Sequence, residues 1–184
     1  IKGVNSNTLV AQRDPGRDGG SSVGNPNALF AKDVFGYSLH YFASDYQAID
    51  PSRWGNTTRA IANMSASSNV GSARYDLYNG NIGAMVTTIL DSASLTAKPM
   101  AYAYQYDVLN RLKQMKAFSN VSITSNLWQN NVVYANNYYN TFSYDASGNI
   151  LSQDRHNAAG ALLDKLSYNY PMVGGKLIQN RLLH

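Results

Sequence analysis

The chain has 184 residues, a formal charge of +4 and 11 acidic residues, every one of them Asp. Without Glu there is no Glu-closed EF-hand loop, no HExxH zinc helix and no Glu capping box, and without Cys there is no disulfide scaffold, thiolate metal site or Cys nucleophile. The Glu side chains that favour soluble helices are missing too, while 14 Tyr and a charged fraction of 14% suit strands, turns and wet surfaces, so the chain is expected to be all-β.

In chain order, Asn5 to Asn27 is loop-like, and 12–27, with Asp14-Pro15-Gly16-Arg17-Asp18-Gly19-Gly20, is predicted as an exposed loop. Two carboxylates without a bidentate Glu make turn chemistry a better reading of Asp14 and Asp18 than calcium binding. Val34 to Ala43 alternates Phe35, Tyr37, Leu39 and Tyr41 with Gly36, Ser38, His40 and Phe42, which predicts a half-buried strand with His40 on its polar, exposed side rather than on a metal. Asp50 to Asn56 reads as a turn, and Ala60 to Met64 supports a short helix only weakly. Asn79-Gly80 between two strand-like runs, Tyr75–Tyr78 and Ile82–Ile89, signals a hairpin. Ala101-Tyr102-Ala103-Tyr104-Gln105-Tyr106 places three rings on one strand face, and the chain then turns at Asp107 and returns through Met115. Val132-Val133-Tyr134, the segment from Phe142 and Leu163 to Tyr170 complete the expected strands.

A unit recurs in this order. Tyr104-Gln105-Tyr106-Asp107-Val108-Leu109-Asn110-Arg111-Leu112 aligns with Phe142-Ser143-Tyr144-Asp145-Ala146-Ser147-Gly148-Asn149-Ile150, and Tyr168-Asn169-Tyr170 opens a degenerate third copy that runs to Leu177. Turn chemistry accounts for the pattern. The aromatic pair covers one sheet face, Asp ends the strand on nearby backbone N–H groups, Asn or Gly adopts a left-handed conformation, and the aliphatic residue starts the return strand. A lone hairpin is marginal in water, so such copies are expected to stack into one continuing sheet.

These residues resemble the YD repeat of the Rhs family, whose pattern is Tyr-x-Tyr-Asp-x-x-Gly-Arg-Leu, with Asn110 standing where Gly is usual. Together with Ile1 to Ser6, Asp33 to Leu39, Tyr78 to Ile82 and Asp164 to Tyr170, the ordered set is similar to the version found in large secreted proteins of Bacteroidota. The resemblance implies that residues 1–184 form one section of a curved or spiral shell of antiparallel hairpins. Such shells enclose a toxic or effector C-terminal domain, with related shells in insecticidal toxin complexes and teneurins. It also implies a secreted or cell-surface bacterial protein, no cofactor, and partners in the rest of the shell and its cargo. The repeats here are irregularly spaced, and the Asp-Pro and Gly-rich core motif of many members is missing, so neither a cleavage site nor a toxin is assigned. The first residues, Ile1-Lys2-Gly3, suggest a piece of a longer protein that begins inside a strand.

Other functions fare less well. Asp107, Asp145 and Asp154 read as turn residues rather than a glycosidase acid and base, and no Gly-x-Ser-x-Gly elbow exists, so no catalytic residue is expected. The cations Arg53, Arg59, Arg74, Arg111, Lys113, Lys116 and Arg155 are dispersed, which argues against nucleic acid. No apolar run approaches the roughly 18 residues of a membrane span. The alternative is a carbohydrate-binding or adhesive module, with Trp54 and Trp128 in irregular, exposed segments as candidate sugar contacts.

Overall fold

The structure, a computed structural model, describes residues 3–5, 9, 29–31, 33–42, 45, 76–93, 96–119, 121–122, 127–128 and 137–183. The expected loop at 12–27, the turn at Asp50 to Asn56, Trp54, the weak helix at Ala60 to Met64 and the strand-like Val132 to Tyr134 lie outside the described residues.

The described chain is all-β. Its strands are β1 (Gly3–Val4), β2 (Phe35–His40), β3 (Ala84–Asp91), β4 (Thr96–Tyr106), β5 (Leu112–Ser119), β6 (Val121–Ser122), β7 (Leu127–Trp128), β8 (Asn140–Tyr144), β9 (Ile150–His156), β10 (Leu162–Ser167), β11 (Met172–Val173) and β12 (Lys176–Leu177). Eight form an open sheet in the order β1-β2-β3-β4-β5-β8-β9-β10, while β6 with β7 and β11 with β12 make separate two-stranded ribbons. No helix among the described residues is long and apolar enough to cross a membrane. The chain divides into two compact units, Ile1–Ala103 with Phe118–Val133 and Tyr104–Ala117 with Tyr134–His184.

In the first unit, antiparallel register aligns Ser38 with Val86 and Val86 with Ala101, and flanks that row with Gly36, Thr88 and Pro99 on one side and His40, Ala84 and Ala103 on the other. This small-residue face is the buried one: Ser38, Ala84, Val86, Thr88 and Ala101 have essentially no exposure. The bulky residues Tyr37, Leu39, Met85, Met100 and Tyr102 occupy the opposite, half-exposed face. The strand at β2 therefore forms with the opposite facing to the one its hydrophobicity predicts. His40 is 5% exposed, and its Nε2 lies 2.9 Å from Ser38 Oγ, so its polarity is met inside the sheet by a neighbour two residues away. Residue size, more than polarity, decided the buried side: cross-strand rows of Gly, Ser, Thr and Ala leave little bulk standing off the backbone.

The Asn79-Gly80 hairpin does not form. No strand precedes it among Asp76–Tyr78; instead the Leu77 N–H donates to Tyr41 O and the Gly83 N–H to His40 O, so residues 78–82 bow out beside the end of β2. Gly80, at φ 86°, and an Asn79 side chain that accepts from the Asn81 N–H shape a bend, and Phe42 stacks on Tyr78 at 4.7 Å. Trp128, expected in an irregular segment, belongs to β7 and lies opposite Val121.

In the second unit the strands present two chemically different faces. Asn140, Arg155 and Asp164 form one cross-strand row and Phe142, Gln153 and Leu166 the next; on the other face lie Thr141, Asp154 and Lys165, then Ser143, Ser152 and Ser167. The first face sets Phe142 and Leu166 among the amide, guanidinium and carboxylate groups of Asn140, Gln153, Arg155 and Asp164, while the other carries hydroxyl, carboxylate and ammonium groups. No residue from 137 to 183 is fully buried, which defines a sheet one layer thick.

The β8–β9 and β9–β10 hairpins share an irregularity. Pairing steps from Tyr144↔Ile150 to Ser143↔Ser152, leaving Leu151 as an extra residue, and from His156↔Leu162 to Arg155↔Asp164, leaving Leu163. Each return strand thus has a β-bulge at its second residue, which increases local twist.

Candidate functional site

The repeated chemistry gathers at the turns. Asp107, Asp145 and Asn157 each end a strand and organise a five-residue turn with the same two backbone bonds. Asp107 N–H donates to Arg111 O and Asn110 N–H to Asp107 O; Asp145 pairs likewise with Asn149 and Gly148, and Asn157 with Ala161 and Gly160. The fourth residue is left-handed in all three: Asn110 at φ 62°, Gly148 at 91° and Gly160 at 79°. Glycine reaches that conformation without cost, and Asn is among the few other residues that adopt it readily.

The side chain at the first position fastens the turn. Asp107 Oδ1 accepts from the N–H groups of Leu109 and Arg111 at 2.9 and 3.0 Å, and its Oδ2 accepts from Arg111 Nε at 2.6 Å. Asp145 Oδ1 accepts from the Asn149 N–H and its Oδ2 from Asn149 Nδ2, both at 2.8 Å. Asn157 Oδ1 accepts from the N–H groups of Ala159 and Ala161. The Arg111 N–H above all holds the Asp107 carboxyl below the usual carboxylate range, and the Asn149 side-chain amide does the same for Asp145. These carboxylates act as hydrogen-bond acceptors within their own turns.

Successive units are then tied to one another. Arg111 Nη1 donates to Asp145 O at 2.8 Å, and its guanidinium lies 4.7 Å over the Tyr144 ring. Tyr144 Oη donates to Leu112 O at 2.6 Å, and at the next step Tyr170 Oη donates to Ile150 O at 2.9 Å. Leu112 and Ile150 are equivalent residues, the first after the turn, and Tyr144 and Tyr170 are equivalent in the YD alignment. Asn149 reaches forward in the same way, to Asn180 Oδ1 at 3.2 Å. Burial raises the Tyr144 hydroxyl above its ordinary range, helped by the Asp107 charge, and burial raises Tyr106.

The residues singled out in the sequence thus divide. Tyr144, Tyr170, Asp107, Asp145, Asn110, Gly148, Arg111 and Asn149 hold the turns and link neighbouring units, with Leu112 and Ile150 as the accepting carbonyls. Tyr104 and Tyr106 are half-buried on β4, and Tyr168 Oη approaches Gln153 Oε1 at 3.5 Å. Beyond Tyr170 the third copy departs from the others: Gly174 and Gly175, both with positive φ, close a separate two-residue hairpin between β11 and β12. A further copy, not evident from the Tyr-Asp pattern, runs from Asn157 to Leu162. Its Asn-x-x-Gly-x-Leu matches Asp145-x-x-Gly-x-Ile, but Asn replaces Asp and His156 stands where Tyr was sought.

Beside the turns, Tyr139 Oη donates to Gln114 Oε1, and Gln114 Nε2 donates to Gln105 Oε1. Lys116 Nζ lies 5.9 Å from the Tyr139 ring and His156 packs against it at 5.6 Å. Among the described residues no three His or Asp side chains gather as metal ligands do. No family model, curated protein or solved structure matches the chain.

Proposed function

We propose that this chain is a structural section of wall from a secreted or cell-surface bacterial shell of the Rhs/YD-repeat kind, whose task is to enclose, carry or display another polypeptide such as a C-terminal toxin. The reading is carried by the Tyr hydroxyl to carbonyl bond made at equivalent positions by Tyr144 on Leu112 and by Tyr170 on Ile150. A contact that repeats from unit to unit extends a sheet, whereas a catalytic constellation would gather its groups at one point. A sheet in which no residue from 137 to 183 is fully buried suits a wall with solvent on both sides. The test is limited proteolysis of the full-length gene product, with electron microscopy of the same sample. A hollow particle whose enclosed segment survives protease until the particle is denatured is expected. Cleavage of that segment at the rate of the free polypeptide, in a particle without an internal space, would overturn the proposal.

A further inference from the structure

Asn79-Gly80 is the one place in the sequence where Gly follows Asn, and both residues are exposed. Asn81, Asn149 and Asn157 precede Ile82, Ile150 and Ala158, whose Cβ atoms crowd their own backbone nitrogens. Gly80 has no such atom, and a Cβ built on it meets nothing within 4 Å, so the bend stands clear of other packing. No hydrogen bond engages the Gly80 N–H among the described residues. The Asn79 side chain is folded back along its own backbone: its Oδ1 accepts from the Asn81 N–H at 3.1 Å, and the ring that this bond closes runs through Asn79 Cγ and the Gly80 nitrogen. The same bond draws electron density from Cγ and is in place to stabilise the oxygen anion that forms when Cγ is attacked. On either side the chain is anchored, with the Leu77 N–H on Tyr41 O and the Gly83 N–H on His40 O, both at 2.8 Å. A reaction between Asn79 and Gly80 is therefore a local change within the bend.

We propose that Asn79 is a self-modification site, converting to aspartate and isoaspartate through a cyclic imide with Gly80. The Gly80 nitrogen gives its proton to hydroxide or a buffer base and attacks Asn79 Cγ. The N–Cγ bond forms, the Cγ–Nδ2 bond breaks, and Nδ2 takes a proton from solvent and leaves as ammonia. Water then opens the imide: at Cγ it restores the ordinary backbone and leaves aspartate, and at the main-chain carbonyl it leaves isoaspartate. Either way one amide becomes one carboxylate, and the formal charge falls from +4 to +3. The products differ in their effect on the bend. Aspartate keeps an oxygen for the Asn81 N–H, as Asp91 does for Ala93 at 3.0 Å and Asp107 for Leu109 at 2.9 Å. Isoaspartate routes the main chain through Cγ and lengthens the segment between the two anchors by one carbon.

The experiment holds the whole chain in mildly alkaline buffer made with heavy-oxygen water and follows Asn79 by peptide mass spectrometry, with a protease that cuts before aspartate and not before isoaspartate to separate the products. Conversion at Asn79 with uptake of one heavy oxygen is expected, giving both products at about the rate of the same chain in guanidinium. Asn157 is the internal control, because its Oδ1 accepts from the Ala159 N–H in the same way but Ala158 follows it, and it should remain an amide. Gly80→Ala should slow the conversion about tenfold or more, through the Cβ it adds beside the attacking nitrogen. Should that variant misfold, since Gly80 has a φ of 86°, the comparison of native and denatured chains decides alone. An Asn79 that stays an amide in the native chain while it converts in guanidinium would show that the bend blocks ring closure, and would overturn the site. Aspartate without isoaspartate would overturn the imide route in favour of direct hydrolysis.

Discussion

At the scale of single residues, three copies of one turn act as an internal comparison. The fourth position is Asn, Gly and Gly at φ between 62° and 91°, and a Cβ built on Gly148 meets nothing within 4 Å. The cost of Gly148→Ala is then purely conformational, about 1 kcal/mol in urea denaturation, and Gly148→Asn is expected to cost less, as Asn110 already shows the conformation to be accessible. Tyr144→Phe keeps the ring under Arg111 and removes the bond to Leu112 O; a loss of about 1 kcal/mol is expected, with a similar loss for Tyr170→Phe. The pH dependence follows from the carboxylates. The folded chain lowers the Asp107 and Asp145 pKa below the ordinary 3.8, so the unfolded chain binds protons more readily. Their contribution is complete above about pH 4 and is lost as the pH falls through the depressed values. Thermal unfolding of the native chain should shift to lower temperature on acidification over that range, and less steeply for Asp107→Asn with Asp145→Asn.

At the scale of strands and hairpins, much was legible because local chemistry decides it. Asp107, Asp145 and their turn partners announce a turn wherever they stand, since the short carboxylate reaches N–H groups two and four residues on. What could not be read depended on a neighbour. His40 reads as exposed when its strand is taken alone; beside Ala84 and Ala103, with Ser38 at hand, its face is the one that is covered. Asn79-Gly80 looked like a hairpin because the residues before it were apolar enough for a strand, yet Leu77 and Gly83 bond to the end of β2. Asn157 was hidden by its Asn and by the missing Tyr, while the bulges at Leu151 and Leu163 leave no compositional mark at all. Backbone groups alternate along β10, where the Tyr168 N–H donates to Leu151 O on β9: in native-state hydrogen exchange the amides of Leu166 and Tyr168 should be protected and those of Lys165 and Ser167 should exchange quickly. Uniform protection along the strand would show that the edge away from β9 is already paired.

At the scale of the whole molecule, the two compact units differ in how they are stabilised. The first has a fully covered face around Val86 and Thr88, where Val86→Ala should cost about 2 kcal/mol; the second, with no fully buried residue from 137 to 183, relies on turns and hydroxyl-to-carbonyl ties. Amides of Val86 and Ala101 should accordingly outlast those of β8 and β9 in exchange, a difference that guanidinium titration of the same amides would follow. The tie between successive repeats, all within the second unit, bears on how far apart such repeats can stand. Tyr144 lies 32 residues beyond the carbonyl it reaches and Tyr170 only 20 beyond its own, yet the two bonds are the same. The interval can therefore differ by a dozen residues without disturbing the contact, so the anchor point is fixed while the length between anchors is free. A relative of this chain is better sought by the Tyr that closes each unit, and the aliphatic carbonyl that receives it, than by any fixed repeat length.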